Sequence, residues 1–177
     1  KTEIARRLAR LSSQAAGKLK DDGKAVDWRM KRLAWEAYSR TLYGIASLQR
    51  PVLRRTMFVG ITGSAGKTTT KDLVASILER HYSTGRKGPG TLNGPYDVAC
   101  LVLRTRPSDA YCVTEIALTN DAGLDLPLRL FRPTVGVVTN IGGDHVAAYG
   151  SLDGVAEEKS KLVKALPADG IAVLNAD

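Results

Sequence analysis

The feature that most constrains this chain is a glycine-rich stretch, GITGSAGKTTT, at residues 60–70. An apolar run, MFV at 57–59, precedes it, and a second, LVASIL at 73–78, follows it. This order predicts a strand, a glycine turn and a helix. Glycines allow backbone N–H groups to converge on an anion, and the N-terminus of a helix adds partial positive charge. The stretch therefore predicts a phosphate-binding loop in an α/β domain.

Two side chains at the end of this loop suit a nucleotide. A lysine in this place, Lys67, can reach the outer phosphates, and the hydroxyl of Thr68 can ligate Mg²⁺. Thr69 either assists them or caps the helix. The usual phosphate loop has a glycine where this chain has Ile61, but the strand, lysine, hydroxyl and helix are all in place. A glycine-rich connection without a ligand is the alternative.

From residue 56 onward, strand and helix patterns alternate. Such alternation predicts a parallel sheet with helices on both faces, and ligands of such sheets bind at the carboxyl ends of the strands. Three polar segments fall there, namely residues 62–68, Glu115 and residues 140–145. The predicted strands are 57–61, 111–116, 135–139 and 171–174, the predicted helices are 67–80, 96–104, 123–131 and 152–166, and a loop is predicted across the glycines and prolines of 85–95.

Basic residues are concentrated at the start of the chain. Of the net charge of +8, a charge of +7 falls within residues 1–50. Two helices are predicted there, over about 4–19 and 25–48, with Trp28 and Trp35 on one face and Pro51 ending the segment. We interpret residues 1–50 as a basic helical segment and 56–177 as a nucleotide-binding domain. This basic segment could form a hairpin that packs on a domain, or it could bind an anionic surface or a partner protein.

Composition argues against a membrane-spanning protein and against a disulfide framework. No apolar run approaches the roughly 20 residues needed to cross a bilayer, and the start of the chain has no signal-peptide pattern. Cys100 and Cys112 lack the spacing of a CxxC motif. We therefore expect buried free thiols in a cytoplasmic protein.

Six segments in a fixed order carry a resemblance to a known family. They are TGSAGKT at 62–68, GTLN at 90–93, TEI at 114–116, TNIGGDH at 139–145, GSLDGVAEEK at 150–159 and PADGIAVLNAD at 167–177. Together they resemble the central ATP-binding domain of the Mur ligase family, whose own phosphate loop explains the displaced glycine. The last segment is similar to the strand found in the D-alanyl-D-alanine-adding branch. The resemblance covers residues 56–177.

The resemblance implies a P-loop NTPase-like fold and a ligase that uses ATP to join an amine to a carboxylate through an acyl phosphate. ATP and Mg²⁺ are the implied cofactors, and a small-molecule carboxylate and amine are the implied substrates. The implied catalytic residues are Lys67, His145 and Lys159, and the implied metal site consists of Thr68, Glu115, His145 and Lys159. The implied nucleotide-binding residues are Thr62, Gly63, Ser64, Ala65, Gly66, Lys67, Thr68, Thr69, Asn93 and Asn140.

Three of these assignments have alternatives. The Glu115 carboxylate, which closes an apolar strand, either binds metal or pairs with a lysine. His145 either ligates a second Mg²⁺ or is a hydrogen-bonded core histidine. The family's lysine at the position of Lys159 is carbamylated, which requires a neutral amine. The sequence AEEKSKLVK by itself is typical of a solvated helix face, and Lys161 competes for the same role.

Other features depart from the family pattern. Residues 1–50 do not resemble the UDP-sugar-binding domain found at the family's N-terminus, and TNIGGDH is more similar to other branches, such as the cyanophycin-synthetase type. The substrate therefore stays open between a cell-wall precursor and another carboxylate. We expect a partial chain that lacks the family's C-terminal domain and cannot complete a ligation alone. A P-loop kinase or NTPase and a nucleotide-binding regulatory module are the alternative functions.

Overall fold

The structure is a computed structural model that describes residues 28–90, 94–117, 123–143 and 146–176. The helix predicted over 4–19 lies outside the described residues. The chain divides into two compact units, residues 1–42 and 43–177. Helix α1 (Trp28–Gln49) begins in the first unit, where the side chains of Trp28 and Trp35 are more than half exposed. Among the described helices, none has both the length and the apolar content needed to cross a membrane.

A five-stranded sheet forms the centre of the second unit. All its strands are parallel, in the order β2-β3-β1-β4-β5, so β1 lies in the middle. The strands are β1 (Met57–Thr62), β2 (Gly85–Lys87), β3 (Tyr111–Glu115), β4 (Val135–Val138) and β5 (Ile171–Leu174). The helices are α2 (Lys67–His81), α3 (Pro95–Arg104), α4 (Asp125–Phe131), α5 (Val146–Tyr149) and α6 (Leu152–Lys164), and a 3₁₀ turn at Arg50–Val52 follows α1.

Helices cover both faces of this sheet. On one face, α3, α4, α6 and the end of α1 enclose an apolar core that contains Phe58 and Leu162. On the other face, α2 packs Val74 against a second core that contains Val59. Because successive side chains of a strand point to opposite faces, the neighbours Phe58 and Val59 of β1 belong to different cores. The predicted α/β fold is confirmed.

Two short elements differ from the prediction. Strand β2 lies inside the predicted loop 85–95, and its Gly-Arg-Lys sequence has low strand propensity. It forms because it pairs with the edge of β3, where Gly85 lies opposite Tyr111. Helix α5 was also not predicted, and its four residues are too few for a periodic apolar pattern. The other strands and the helices from α2 onward begin and end within two residues of the predicted bounds.

Both cysteines are free, as predicted, but only Cys112 is buried as predicted. Cys112 is buried in the sheet, and this burial raises the pKa of its thiol to about 12. The thiol is therefore protonated at neutral pH, and only the thiolate is nucleophilic. Cys100 is half-buried on α3. Cys112 is accordingly a small core residue.

The end of α1 is part of the second unit, although we assigned it to the basic segment from the sequence. Gln49 donates hydrogen bonds to carbonyl groups at the end of α3 at 2.9 and 3.0 Å. The guanidinium of Arg50 lies 3.6 Å from the ring centroid of Phe58. It also donates to the backbone carbonyls of Phe131 and Arg132, each at 2.7 Å. Arg50 is therefore a buried anchor rather than a member of a solvated basic face.

Replacing Arg50 by methionine is expected to lower the free energy of unfolding by about 3 kcal/mol, because two carbonyl groups lose charged donors. Urea unfolding followed by circular dichroism measures the change. Arg54→Met is the matched control, since Arg54 is exposed and is expected to change stability by less than about 0.5 kcal/mol. Equal losses in the two variants would contradict the anchoring role of Arg50.

Candidate nucleotide and metal site

The sheet brings three polar segments to one edge. Ile61 of β1 lies opposite Glu115 at the end of β3, and Thr62 lies opposite Val138 at the end of β4. The glycine-rich loop after β1, the Glu115 carboxylate and the residues after β4 are therefore neighbours at the carboxyl edge of the sheet. This is the edge at which ligands bind in parallel α/β sheets. Residues 144–145, including His145, lie outside the described residues.

The residues after β4 hold the glycine-rich loop in shape. The hydroxyl of Thr139 donates to the carbonyl of Ala65 at 2.6 Å. The side-chain oxygen of Asn140 accepts from the N–H of Ala65 at 2.8 Å, and its backbone carbonyl accepts from the N–H of Ser64 at 3.2 Å. The Ser64 hydroxyl accepts from the N–H of Gly142 at 2.9 Å. Asn140 thus supports the loop, and its contact with a nucleotide stays a prediction.

Gly63 is required at the first bend of the loop. Its φ is +149°, and a Cβ atom placed there would lie 1.8 Å from the Thr139 hydroxyl oxygen. A side chain would therefore be strained in its backbone and would displace the residue that holds Ala65.

Gly63→Ala is accordingly expected to lower the free energy of unfolding by about 2 kcal/mol and to weaken ADP binding, because the loop must move. Gly143→Ala is the control, since apart from its chain neighbours no atom of the described residues lies within 4 Å of a Cβ atom at Gly143. Thermal unfolding and calorimetric ADP titration measure the two effects. Unchanged ADP affinity in Gly63→Ala would show that the loop shape is not needed.

The beginning of α2 is arranged to bind an anion. Gly66 precedes the helix in a left-handed conformation with φ of +77°, and no side chain caps the helix there. The first hydrogen bond of the turn runs from Thr70 N to Gly66 O. The N–H groups of Lys67, Thr68 and Thr69 are therefore not used within the helix. Free N–H groups and the positive end of the helix dipole suit a phosphate group.

The Lys67 ammonium lies over the same loop. Its Nζ donates to the carbonyl of Gly63 at 2.8 Å and to that of Ser64 at 3.3 Å. These contacts hold the positive charge beside the uncapped N–H groups of α2. The position suits the predicted neutralisation of outer phosphate oxygens.

Thr68 and Glu115 form the candidate metal site. The Thr68 hydroxyl donates to the two carboxylate oxygens of Glu115, at 3.0 and 3.3 Å. The Glu115 side chain is only 2% exposed, and the Lys71 ammonium lies 3.7 Å from its Oε1. Glu115 therefore pairs with a lysine, which was the alternative interpretation of this residue, and it also contacts Thr68.

Adjacent hydroxyl and carboxylate oxygens fit Mg²⁺, which prefers hard oxygen ligands. Within the described ranges, no cluster of three or more histidine, cysteine, aspartate or glutamate side chains could hold a metal ion. Mg²⁺ commonly takes one or two protein ligands and completes its shell with waters and substrate phosphates. The chemistry of Thr68 and Glu115 is that of such an open site.

The structure separates the two candidate lysines of α6. Lys159 is 2% exposed, on the same buried face as Leu162. Lys161 instead places its Nζ 2.7 Å from Asp125 and 2.7 Å from Glu158, and these hydrogen bonds raise the pKa of its ammonium. A carbamate forms only on a neutral amine, so Lys161 is the less suitable residue. The segment AEEKSKLVK is therefore partly buried, unlike the solvated face that its composition indicates.

The described side-chain contacts of the other predicted site residues do not indicate a role in binding a nucleotide or a metal ion. Thr62 is fully buried, and its hydroxyl has no hydrogen-bond partner in the part of the chain that the structure describes. Thr69 is exposed in the first turn of α2. Asn93 lies outside the described residues.

Sequence reasoning missed Lys71, although its position one helical turn after Thr68 was a usable signal. It also missed Thr139, whose contact with the loop depends on the order of the strands.

Comparison with known proteins then decides the family. Residues 61–177 match the Mur ligase middle domain. The chain belongs to the Mur ligase family. Relatives of this Mur ligase chain include UDP-N-acetylmuramoyl-tripeptide–D-alanyl-D-alanine ligases. The Bacillus subtilis enzyme is 33% identical over 139 residues, which cover 77% of this chain and 30% of the enzyme. The Escherichia coli enzyme is 36% identical over 119 residues, covering 67% of this chain and 26% of the enzyme.

Solved structures agree with this family. MurF from Acinetobacter baumannii has a TM-score of 0.72 and 28% identity, covering 78% of this chain and 30% of that one. MurF ligase from Thermotoga maritima, in complex with ADP, has a TM-score of 0.70 and 27% identity. The match covers 78% of this chain and 32% of that one. The predicted resemblance to the Mur ligases and to their D-alanyl-D-alanine-adding branch is confirmed. This Mur ligase chain spans about a third or less of the length of these relatives.

Proposed function

We propose that this chain supplies the ATP-binding domain of an ADP-forming carboxylate–amine ligase. The observation that carries the proposal is the hydrogen bond between Thr68 and the buried Glu115, beside the loop that holds the Lys67 ammonium. Phosphoryl transfer depends on positioning and charge neutralisation more than on covalent help from the protein. A phosphate loop, a lysine and a pair of hard oxygen ligands provide those two functions.

In this proposal each group has one task. The N–H groups at the start of α2 bind phosphate oxygens of ATP, and Lys67 neutralises charge on the outer phosphates. Thr68 and Glu115 would hold Mg²⁺, which supplies further positive charge to the phosphate oxygens when bound. The substrate carboxylate attacks the γ-phosphorus, which releases ADP and forms an acyl phosphate. The amine then attacks the acyl carbon, forms the amide bond and expels inorganic phosphate.

Several residue roles belong to the same proposal. We assign Lys159 as the carbamylated lysine of the site, because it is the buried lysine of α6. His145 is proposed as a ligand of a second metal ion, and Asn93 and Asn140 as nucleotide contacts. A C-terminal domain that binds the amine is a proposed partner of this chain. The partner of residues 1–50 stays open between another domain, a protein and an anionic surface.

The proposed substrates follow from the relatives. The matched enzymes from Bacillus subtilis and Escherichia coli are named as UDP-N-acetylmuramoyl-tripeptide–D-alanyl-D-alanine ligases. We propose the same carboxylate and amine here, and therefore a place in the cytoplasmic stage of peptidoglycan synthesis. The resemblance of TNIGGDH to the cyanophycin-synthetase type is the reason to test other pairs as well.

ADP formation by the full-length protein tests this function. The assay supplies Mg²⁺-ATP with the UDP-N-acetylmuramoyl tripeptide, with D-alanyl-D-alanine, with both, or with other carboxylate–amine pairs. We expect ADP and an amide product only when both partners are present. Rapid ADP formation that is indifferent to every pair would instead indicate an NTPase, and a phosphorylated alcohol would indicate a kinase.

A further inference from the structure

The side chain with the most unusual position outside the roles assigned above is Lys71. It lies on α2, one turn after Thr68, and is 1% exposed. A buried ammonium is costly unless charged or polar groups surround it. Its partners therefore indicate what it does.

Lys71 contacts two different parts of the candidate site. Its Nζ donates a hydrogen bond to the carbonyl oxygen of Gly90 at 2.5 Å. The same atom lies 3.7 Å from Oε1 of Glu115, and 3.9 Å from the more exposed Asp72. One ammonium thus links the carboxylate at the end of β3 to the loop that follows β2.

We propose that Lys71 is a positioning residue that orients the Glu115 carboxylate for Mg²⁺ and links it to the backbone carbonyl of Gly90. This inference rests on the proposed function, because it requires Mg²⁺ to bind at Glu115. Thr68 approaches both oxygens of the carboxylate from the phosphate loop, and Lys71 approaches Oε1 from the next turn of the same helix. A Thr68 hydroxyl that gives a lone pair to a metal ion keeps its O–H, but the direction of that donor has to change. The Lys71 ammonium holds Oε1 independently of this change.

Groups that orient a metal ligand have a characteristic effect. Their removal typically lowers metal affinity by about 10- to 100-fold while leaving other binding groups in place. Among the described residues, the Lys71 side chain makes its hydrogen bond and ion pairs with Gly90, Glu115 and Asp72, and none of them involves the Lys67 side chain or the bends at Gly63 and Gly66. Its loss is therefore expected to weaken the Mg²⁺-dependent part of nucleotide binding and to spare the rest.

The test is calorimetric titration of the full-length protein with ADP, in the presence of Mg²⁺ and in the presence of a chelator. In Lys71→Met we expect the ADP affinity measured without Mg²⁺ to stay within about twofold of that of the unmodified protein. The gain, which is the factor by which Mg²⁺ increases ADP affinity, is expected to fall about tenfold. Lys87→Met is the matched control, because Lys87 lies on the same side of the sheet and pairs with Asp72 at 3.1 Å. The control is expected to keep the full gain. Lys71→Gln, which keeps an N–H donor, replaces Lys71→Met if that variant does not fold.

Three results would overturn the role of Lys71. An unchanged Mg²⁺ gain in the variants would show that Glu115 does not depend on it. An increased gain would show that Lys71 competes with the metal ion. An equal loss with and without Mg²⁺ would show a purely structural role. If the unmodified protein binds ADP without any Mg²⁺ gain, the proposed metal site fails as well, which distinguishes the two failures.

Discussion

Lys67→Met is expected to lower ATP turnover by at least about 1,000-fold, the largest effect of any single change in this chain. Lys67 is the cation held over the phosphate loop, through bonds of 2.8 and 3.3 Å to Gly63 and Ser64. A cation that stabilises the charge of phosphoryl transfer contributes about 1,000-fold or more to the rate. Methionine has a similar length and no charge, so the variant removes the charge and keeps most of the volume. Rates of ADP formation in the full-length protein measure the effect.

Lys164→Met is the control for this change. Lys164 is exposed and pairs with Glu157 on the surface of α6, so the variant removes the same charge far from the loop. We expect its turnover to stay within about twofold of the unmodified protein, since surface ion pairs contribute little. A Lys67→Met variant that folds and retains more than a tenth of the activity would rule out the proposed role of the loop lysine.

The second large effect is expected for Glu115→Gln, which should reduce both stability and Mg²⁺-dependent ADP binding. The carboxylate is buried beside the ammonium of Lys71, so its loss leaves the buried cation with only the more exposed Asp72, at 3.9 Å, as a counter-ion. Breaking one side of a buried pair typically costs about 3 kcal/mol or more. The amide is also a poorer ligand for Mg²⁺ than a carboxylate. Urea unfolding measures the first effect, and ADP titration with and without Mg²⁺ measures the second.

Asp109→Asn separates these two effects. Asp109 is also buried, pairs with Arg86 at 2.8 Å, and precedes β3, whereas Glu115 ends that strand. The control is expected to lose stability while keeping the full gain of ADP affinity from Mg²⁺. If both variants lose stability but neither loses the Mg²⁺ gain, Glu115 is only a structural partner of Lys71.

The sequence was most informative where function depends on consecutive residues. The strand, glycine bends, Lys67 and Thr68 follow one another along the chain, so their arrangement could be predicted without knowing the fold. Glu115 was predicted as a metal ligand because a carboxylate at the end of an apolar strand is unusual and needs a partner. The segment GSLDGVAEEK, which ends at Lys159, also favoured Lys159 over Lys161. The buried position of Lys159 is consistent with that choice.

The remaining features depend on contacts between distant segments. Strand β2 has a poor local sequence and forms by pairing with β3. Thr139 braces the loop only because β4 lies beside β1 in the sheet. The sequence places Arg50 in the basic segment, and it is buried because the carbonyls of Phe131 and Arg132 accept its hydrogen bonds. In each case the deciding partner lies more than twenty residues away along the chain.

Transfer of labelled oxygen tests the central claim most directly. The full-length protein is given Mg²⁺-ATP, an amine and a carboxylate substrate in which both carboxyl oxygens are ¹⁸O. If the carboxylate attacks the γ-phosphorus, one labelled oxygen leaves with each inorganic phosphate and the other stays in the amide. Mass spectrometry of the phosphate is therefore expected to show one ¹⁸O per turnover. Unlabelled phosphate formed along with ADP would contradict the ligase, because the phosphoryl group would then have passed to water.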